Sequence, residues 1–124
     1  MSAEQGAVIA IVDDDESLRN SLLRLFRSAG YSVEGFESAT DLLRSLPTRR
    51  PRCVILDLQL PDISGVEVLE RFAKLADAPP VVVITGSDDA CVRDQCVALG
   101  AQRYLRKPLD CDALLEAARE IVEP

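Results

Sequence analysis

Five short runs rich in apolar and β-branched residues alternate along the chain with segments whose apolar residues recur at helical spacing. Three of them are apolar throughout, as in strands covered on both faces: residues 7–12, 53–56 and 81–84. The run at 31–36 alternates more, so we place it nearer a sheet edge, and 101–106 is the fifth strand. Because right-handed crossovers put helices on both faces of a parallel sheet, the sequence predicts an α/β fold, (βα)5, with a doubly wound five-stranded parallel sheet.

Local signals place the ends of the helices between these strands. Side chains suited to helix N-termini precede four of them: Ser38, Ser64, Ser87 followed by two aspartates, and Asp110. Gly30 and Gly100 are predicted to end the first and fourth helices, and Pro47 marks the end of the second. The third helix is expected to carry an apolar stripe that reaches Leu75.

Length and charge bound the organisation and the partners. At 124 residues with 48% apolar residues, the chain is predicted to be one domain, 1–124, in which residues 1–6 are a flexible N-terminal segment. The excess of 21 acidic over 14 basic residues repels phosphate backbones and anionic lipids, so we expect no nucleic-acid or membrane binding. No apolar run is long enough to span a membrane, and a cytoplasmic location is expected.

The cysteines do not form a recognisable metal or disulfide pattern. There are four of them and no histidine, and no CxxC pair occurs: Cys53, Cys91, Cys96 and Cys111. We interpret them as reduced thiols in or near the core.

Charged and hydroxyl side chains follow the predicted strands. Residues 13–15 are three aspartates after the first strand, Asp57 ends the third, Thr85 follows the fourth and Lys107 follows the fifth. Ligands bind at the carboxyl ends of strands in open α/β sheets, where the strand order reverses. In the order 2-1-3-4-5 the ends of the first and third strands lie about 5 Å apart, so at least two carboxylates are expected in one pocket.

This acidic group has two interpretations. An all-oxygen cluster without histidine or cysteine favours a hard divalent ion such as Mg²⁺. The alternative is that the aspartates only cap the first helix, a role that suits Asp15. Taken singly, Lys107 is explained by a salt bridge to Asp57, and Thr85 by a local hydrogen bond. Together with the acids they form a phosphoryl-transfer constellation of nucleophile, metal, cation and hydroxyl.

Four motifs in this order resemble the receiver domain of two-component response regulators. They are VDDD at 12–15, VILDLQLPDISG at 54–65, VVVITGS at 81–87 and YLRKP at 104–108. The resemblance covers nearly the whole chain and implies the flavodoxin-like strand order 2-1-3-4-5.

The resemblance implies a phosphoacceptor signalling switch that is not an enzyme in its own right. Asp57 would accept a phosphoryl group from a phosphohistidine on a sensor histidine kinase or a histidine phosphotransfer protein. Asp14 and Asp57, with the backbone carbonyl of Gln59, would hold Mg²⁺, with Mn²⁺ as an alternative. Asp13 would reach the ion through water.

The remaining implied roles concern the phosphoryl group and its readout. Lys107 and Thr85 would contact phosphoryl oxygens, and Tyr104 would turn inward with Thr85 to alter the face of the fourth helix, fifth strand and fifth helix. Ordinary packing is the alternative for Tyr104. Neighbours of the acid would tune the lifetime of the acyl phosphate or leave room around it: Gln59, Ser87, Gly86, Pro61 and Gly65. The bond between Lys107 and Pro108 resembles the family's cis peptide.

The resemblance also implies partners outside this sequence. A switch needs a reader, which is either a separate effector protein or an output domain that follows. A phosphorylation-dependent homodimer is also compatible with the resemblance.

Three other functions are compatible with parts of the sequence. A haloacid-dehalogenase-like phosphohydrolase would use Asp13 as nucleophile, since residues 13–17 loosely fit DxDx(S/T), but Asp88 and Asp89 precede Lys107 instead of following it. A flavin-binding flavodoxin would need a Ser, Thr and Gly loop where the aspartates stand. A degenerate receiver that only binds partners would not need the full acid set.

Overall fold

The computed structural model describes residues 8–46 and 48–123. Strands and helices alternate strictly along this part of the chain. The elements are β1 (Val8–Val12), α1 (Glu16–Ser28), β2 (Ser32–Phe36), α2 (Ala39–Ser45), β3 (Cys53–Asp57), α3 (Gly65–Phe72), β4 (Val81–Thr85), α4 (Ala90–Ala98), β5 (Arg103–Arg106) and α5 (Cys111–Val122).

The strands form one parallel sheet in the order β2-β1-β3-β4-β5. This confirms the predicted α/β fold, its strand order and the edge position of β2. The predicted flexibility of residues 1–6 and the predicted helix end at Pro47 lie outside the described residues.

Two apolar clusters, one on each face of the sheet, explain why residues 8–12, 53–56 and 81–84 of β1, β3 and β4 are all apolar. One face packs under α1 and α5, with Phe26 and Leu114 at its centre. The other packs under α2, α3 and α4, through side chains that include Leu42, Val68 and Cys96. Alternate residues of each inner strand point to opposite clusters, so both faces are buried.

Side chains at the helix ends follow the predicted pattern with one difference. Ser38, Ser64 and Asp110 accept hydrogen bonds from the first turns of α2, α3 and α5. At α4 the capping residue is Asp89, whose carboxylate accepts from the backbone N–H of Cys91 at 2.9 Å. Ser87 stands two residues earlier and accepts from the N–H of Asp89, so it shapes the approach to the helix.

The ends of α1 and α4 have left-handed glycines, as predicted. Gly30 has φ of +99° and Gly100 has φ of +106°, a region that residues with a Cβ rarely adopt. α3 ends at Phe72, so the prediction that its apolar stripe reaches Leu75 was wrong. Leu75 lies after the helix and is 49% exposed.

The cysteine prediction was half right. All four are free thiols, but only Cys53 and Cys96 are buried. Burial raises the pKa of Cys53 to about 12, so its thiol stays protonated at neutral pH. Cys91 and Cys111 are exposed in the first turns of α4 and α5. Among the described residues, no helix has both the length and the apolar character needed to cross a bilayer.

Candidate phosphoacceptor site

The carboxyl ends of four strands bring the predicted site residues together at one end of the sheet. Asp13 directly follows β1, Asp57 is the last residue of β3, Thr85 is the last of β4 and Lys107 directly follows β5. The strand register places these ends side by side, with Asp57 opposite Ile84 and Thr85 opposite Arg106. Adjacent strands lie about 5 Å apart, so side chains far apart in sequence share one pocket.

Three carboxylates crowd this pocket. Asp13, Asp14 and Asp57 each offer an oxygen within 4.8 Å of the others. Asp13 is fully buried and Asp57 is 3% exposed, whereas Asp14 lies at the solvent rim. Oxygens of an octahedral Mg²⁺ shell at about 2.1 Å from the ion lie about 3–4 Å apart, so this spacing suits a hard divalent cation after small adjustments. The residues present therefore fit a divalent metal ion.

Lys107 is the cation that faces the buried acids. Its Nζ lies 3.2 Å from Asp57 Oδ2 and 3.5 Å from Asp13 Oδ2, and its side chain is 27% exposed. Burial lowers the pKa of Lys107, but the charges of Asp57 and Asp13 outweigh burial and leave this pKa above its ordinary value. Lys107 is therefore charged at neutral pH. The salt bridge between Lys107 and Asp57, which is the simple explanation of Lys107 taken singly, is present in the structure.

Backbone N–H groups hold the two buried carboxylates in place. The N–H of Asp15 donates to Asp13 Oδ1 at 2.9 Å, and the N–H of Gln59 donates to Asp57 Oδ1 at 3.0 Å. Asp15 itself accepts from the N–H of Leu18 at 3.2 Å and caps α1. The aspartate triplet is thus divided: Asp15 caps the helix, and the other two face the pocket.

Asp13 carries the electrostatic strain of the cluster. Burial raises the pKa of its carboxyl, the nearby charge of Asp57 raises it further, and the N–H of Asp15 and Lys107 only partly oppose this. Ionised Asp13 is therefore less stable in the folded protein than in the unfolded chain.

We expect Asp13→Asn to stabilise the metal-free protein by about 1 kcal/mol at pH 7, as removal of functional strain often does. A carboxyl whose pKa is raised in the folded protein destabilises the fold once it is ionised. The free energy of unfolding therefore falls as the pH rises from the ordinary pKa through the raised one. The advantage of the variant should therefore grow between about pH 4 and pH 7. Urea unfolding in the presence of a chelator measures it. An advantage that shrinks over this range would contradict the assignment of strain to Asp13.

The residues after β4 form a second hydrogen-bonded turn beside the acids. Thr85 is 1% exposed, and its Oγ1 accepts from the N–H of Ser87 at 3.1 Å. A Cβ at Gly86 would have no heavy atom within 4 Å, so packing does not explain a glycine there. The main chain is also linked across the sheet, since the N–H of Lys107 donates to the carbonyl of Thr85 at 2.7 Å. The bond between Lys107 and Pro108 is cis, as predicted.

Tyr104 lies on β5 and packs against the cluster under α2, α3 and α4. Its hydroxyl is buried and makes no hydrogen bond within the described part of the chain. Burial raises the pKa of this phenol, and the side chain of Thr85 partly opposes the shift. A buried hydroxyl without a partner is unfavourable.

Tyr104→Phe should raise the free energy of unfolding by about 1 kcal/mol, because it removes this unpaired buried hydroxyl. Tyr31→Phe is the matched control. The hydroxyl of Tyr31 donates to Glu123 Oε2 at 3.0 Å, so its removal should lower stability by about 0.5 kcal/mol. The denaturant concentrations at which the two variants unfold should shift in opposite directions from that of the wild type. A loss of stability in Tyr104→Phe would show that the hydroxyl of Tyr104 has a partner.

Arg19 contributes to the site and was missed by the sequence analysis. Its Nη1 donates to the backbone carbonyl of Asp13 at 2.8 Å, which ties α1 to the turn that presents the acids. Its position four residues after the capping Asp15 places it one turn into the helix. That spacing alone did not reveal the contact.

A groove of about 540 Å³ lies at the opposite end of the sheet from the acids. Its lining includes Leu43 and Leu46 near the end of α2, Leu75 after α3, and Pro79 before β4. The pocket that carries the acids is therefore separate from this groove.

Comparison with known proteins agrees with this geometry. The family described as the response regulator receiver domain matches residues 9–119. The transcriptional regulatory protein FixJ of Bradyrhizobium diazoefficiens is 34% identical over 119 residues, which cover 94% of this chain and 58% of FixJ. The response regulator protein TmoT of Ectopseudomonas mendocina is 35% identical over 116 residues, which cover 94% of this chain and 53% of TmoT. The chain thus spans about half the length of these curated relatives.

Solved structures give the same result. A response regulator receiver protein from Burkholderia phymatum has a TM-score of 0.81 at 39% identity, and the match covers 94% of both chains. A CheY-like receiver domain protein from Methanospirillum hungatei has a TM-score of 0.89 at 28% identity and covers 96% of this chain and 95% of its own. The haloacid-dehalogenase alternative is not favoured. The chain belongs to the response regulator receiver domain family of two-component systems, whose members are signalling switches.

Proposed function

We propose that Asp57 accepts a phosphoryl group from the phosphohistidine of a sensor histidine kinase or a histidine phosphotransfer protein, in a step that requires Mg²⁺. One observation carries this proposal. Asp57 is a nearly buried carboxylate 3.2 Å from the Nζ of Lys107, and its neighbours Asp13 and Asp14 offer oxygens within 4.8 Å. Nucleophile, cation and metal ligands therefore surround one point.

The transfer step uses a carboxylate as nucleophile. An oxygen of Asp57 attacks phosphorus, a P–O bond forms, and the P–N bond to the donor imidazole breaks with its electron pair returning to nitrogen. The N–H of Gln59 holds Oδ1, and Lys107 holds Oδ2. These contacts fix the orientation of the carboxylate before the donor arrives.

The metal would be held by Asp14, Asp57 and the backbone carbonyl of Gln59, with Asp13 reaching it through water. Mg²⁺ is the ion proposed, and Mn²⁺ would bind the same oxygens. The bound ion supplies positive charge that offsets the repulsion between the acids and the incoming phosphoryl oxygens.

Lys107 and Thr85 would bind phosphoryl oxygens after transfer. Lys107 now contacts two carboxylates, so it would exchange part of this contact for the new phosphate. Thr85 Oγ1 already accepts from Ser87, which leaves its own hydrogen free to donate.

The proposed readout is a change in the face formed by α4, β5 and α5. The buried hydroxyl of Tyr104 makes no hydrogen bond in its present position. The side chain would therefore be free to move when Thr85 turns toward the phosphoryl group. Gln59, Ser87 and Gly86 would lie beside the path of an attacking water and would tune the lifetime of the acyl phosphate.

The biological setting is part of the same proposal. Residues 1–124 would act as a single receiver domain in the cytoplasm, where kinases have access to ATP. An output domain or a separate effector would read the switch, and a phosphorylation-dependent homodimer is one form that this readout can take. The net charge of −7 argues against direct binding of nucleic acid by these residues.

The test is incubation with acetyl phosphate and Mg²⁺, followed by intact mass measurement. The expected product is a single phosphoryl adduct, and removal of the ion with a chelator should prevent it. Sustained hydrolysis of phosphate esters without a protein adduct would instead support a phosphohydrolase. Equal labelling in the chelator would contradict the metal requirement.

A further inference from the structure

Asp62 connects two segments that the sequence keeps far apart. It is an exposed residue in the loop of residues 58–64 between β3 and α3. Its Oδ2 accepts from the N–H of Thr40 at 3.0 Å and from the Thr40 hydroxyl, and its Oδ1 accepts from the N–H of Ala39 at 3.3 Å. The side chain therefore spans from this loop to the first turn of α2.

This contact is additional to the ordinary cap of α2. The first four N–H groups of a helix have no partner within the helix. Ser38 Oγ accepts from the N–H of Asp41 at 3.2 Å, which leaves the N–H groups of Ala39 and Thr40 to Asp62. The Thr40 hydroxyl, together with the backbone N–H groups of Ile63 and Thr40, lowers the pKa of Asp62 well below its usual range, so it is ionised at neutral pH.

The same loop carries groups that belong to the phosphoacceptor pocket. The N–H of Gln59 donates to Asp57 Oδ1 at 3.0 Å, and the N–H of Gly65 closes the loop on the carbonyl of Leu58 at 2.9 Å. The intervening residues connect these two fixed points. Asp62 contacts a separate element from within this stretch, so it limits how far the main chain at Gln59 can move.

We propose that Asp62 is a positioning residue that clamps the loop of residues 58–64 to the start of α2 and thereby holds the main chain of Gln59 in place for the metal ion. This inference rests on the proposed function, in which the carbonyl of Gln59 is a metal ligand. Groups behind a metal ligand commonly change affinity without touching the ion.

The first experiment uses the metal-free protein. Asp62→Ala should increase amide hydrogen exchange in residues 59–63 by about tenfold. Losing hydrogen bonds to a charged group shifts the equilibrium between the closed and open loop by about this factor. Ser38→Ala is the matched control, since it removes the other side chain that caps α2 and leaves the loop contact intact. It should increase exchange in α2 but not in residues 59–63.

The second experiment measures Mg²⁺ affinity by calorimetry. Asp62→Ala should weaken Mg²⁺ binding by about fivefold. This is less than the loss of about 10–100-fold that is typical when a residue hydrogen-bonded directly to a metal-ligating residue is removed. Asp41→Asn removes a charge from the same helix turn without breaking the clamp and controls for electrostatics. Asp62→Asn keeps an acceptor oxygen and should recover part of the affinity. The loss in Asp62→Ala should persist at 0.5 M salt, where long-range charge effects are screened to within roughly 4 Å.

The outcomes separate the inference from the proposed function. Unchanged exchange in Asp62→Ala, or equal exchange in Ser38→Ala, would overturn the clamp. Faster exchange with unchanged Mg²⁺ affinity would overturn the positioning role, as would equal affinities for Asp62→Ala and Asp41→Asn. If the wild-type protein neither binds Mg²⁺ nor takes up a phosphoryl group, the proposed function fails. The exchange data still decide whether the clamp exists.

Discussion

Asp57→Asn is expected to show no phosphoryl adduct after incubation with acetyl phosphate and Mg²⁺. The amide oxygen carries no formal charge, so the variant loses the nucleophile and one proposed metal ligand together. The change is nearly isosteric, and the amide oxygen can still accept from the N–H of Gln59. The fold should therefore persist, and intact mass spectrometry isolates the chemical effect.

Asp88→Asn is the control for this experiment. Asp88 is exposed and lies 3.9 Å from Arg106, outside the pocket, so its replacement removes the same charge without touching the acids. This variant should be labelled like the wild type. An adduct that persists in Asp57→Asn and disappears in Asp13→Asn would move the nucleophile to Asp13 and favour the hydrolase interpretation.

Gly65→Ala should lower the free energy of unfolding by about 3 kcal/mol, at the upper end of the usual cost of overpacking. A Cβ at this position would lie 2.6 Å from the Cα of Leu58, 2.7 Å from its Cδ2 and 2.9 Å from the carbonyl oxygen of Asp57. Two of these atoms are backbone, so no side-chain rotation relieves the contact. The loss is a large fraction of the 5–15 kcal/mol typical of a whole domain.

Gly86→Ala provides the comparison, because a Cβ there meets no heavy atom within 4 Å. It should change stability by less than about 0.5 kcal/mol. Urea unfolding of both variants measures the difference. Equal stability would show that the approach of α3 to the end of β3 relaxes freely, and that Gly65 is not needed to seat the acceptor.

The inner strands were predictable because their chemistry is unambiguous. Runs that are apolar at every position are typical of strands in a sheet covered on both faces, and β1, β3 and β4 are the inner strands. The order of the strands was implied by the family resemblance. The strand ends were also predictable. Once parallel strands are placed side by side, Asp57, Thr85 and Lys107 must meet at one end of the sheet, and the structure places them there.

Contacts between distant segments were not predictable. Asp62 and Thr40 are 22 residues apart, and no periodicity links a loop aspartate to the start of an earlier helix. The exposure of Cys91 and Leu75 was missed because hydrophobicity indicates a preference for burial and does not show where a helix begins or ends. The capping role moved from Ser87 to Asp89 because both side chains can cap and only the backbone path selects one.

Both outer strands carry charge where another chain would have to pair. β2 presents Glu34, which forms an ion pair with Arg49, and the four-residue β5 begins and ends with Arg103 and Arg106. Short, charged edges discourage the addition of a foreign strand and so protect against amyloid-like stacking. Self-association of this domain should therefore proceed through helical surfaces, with the β-sheet remaining five strands wide.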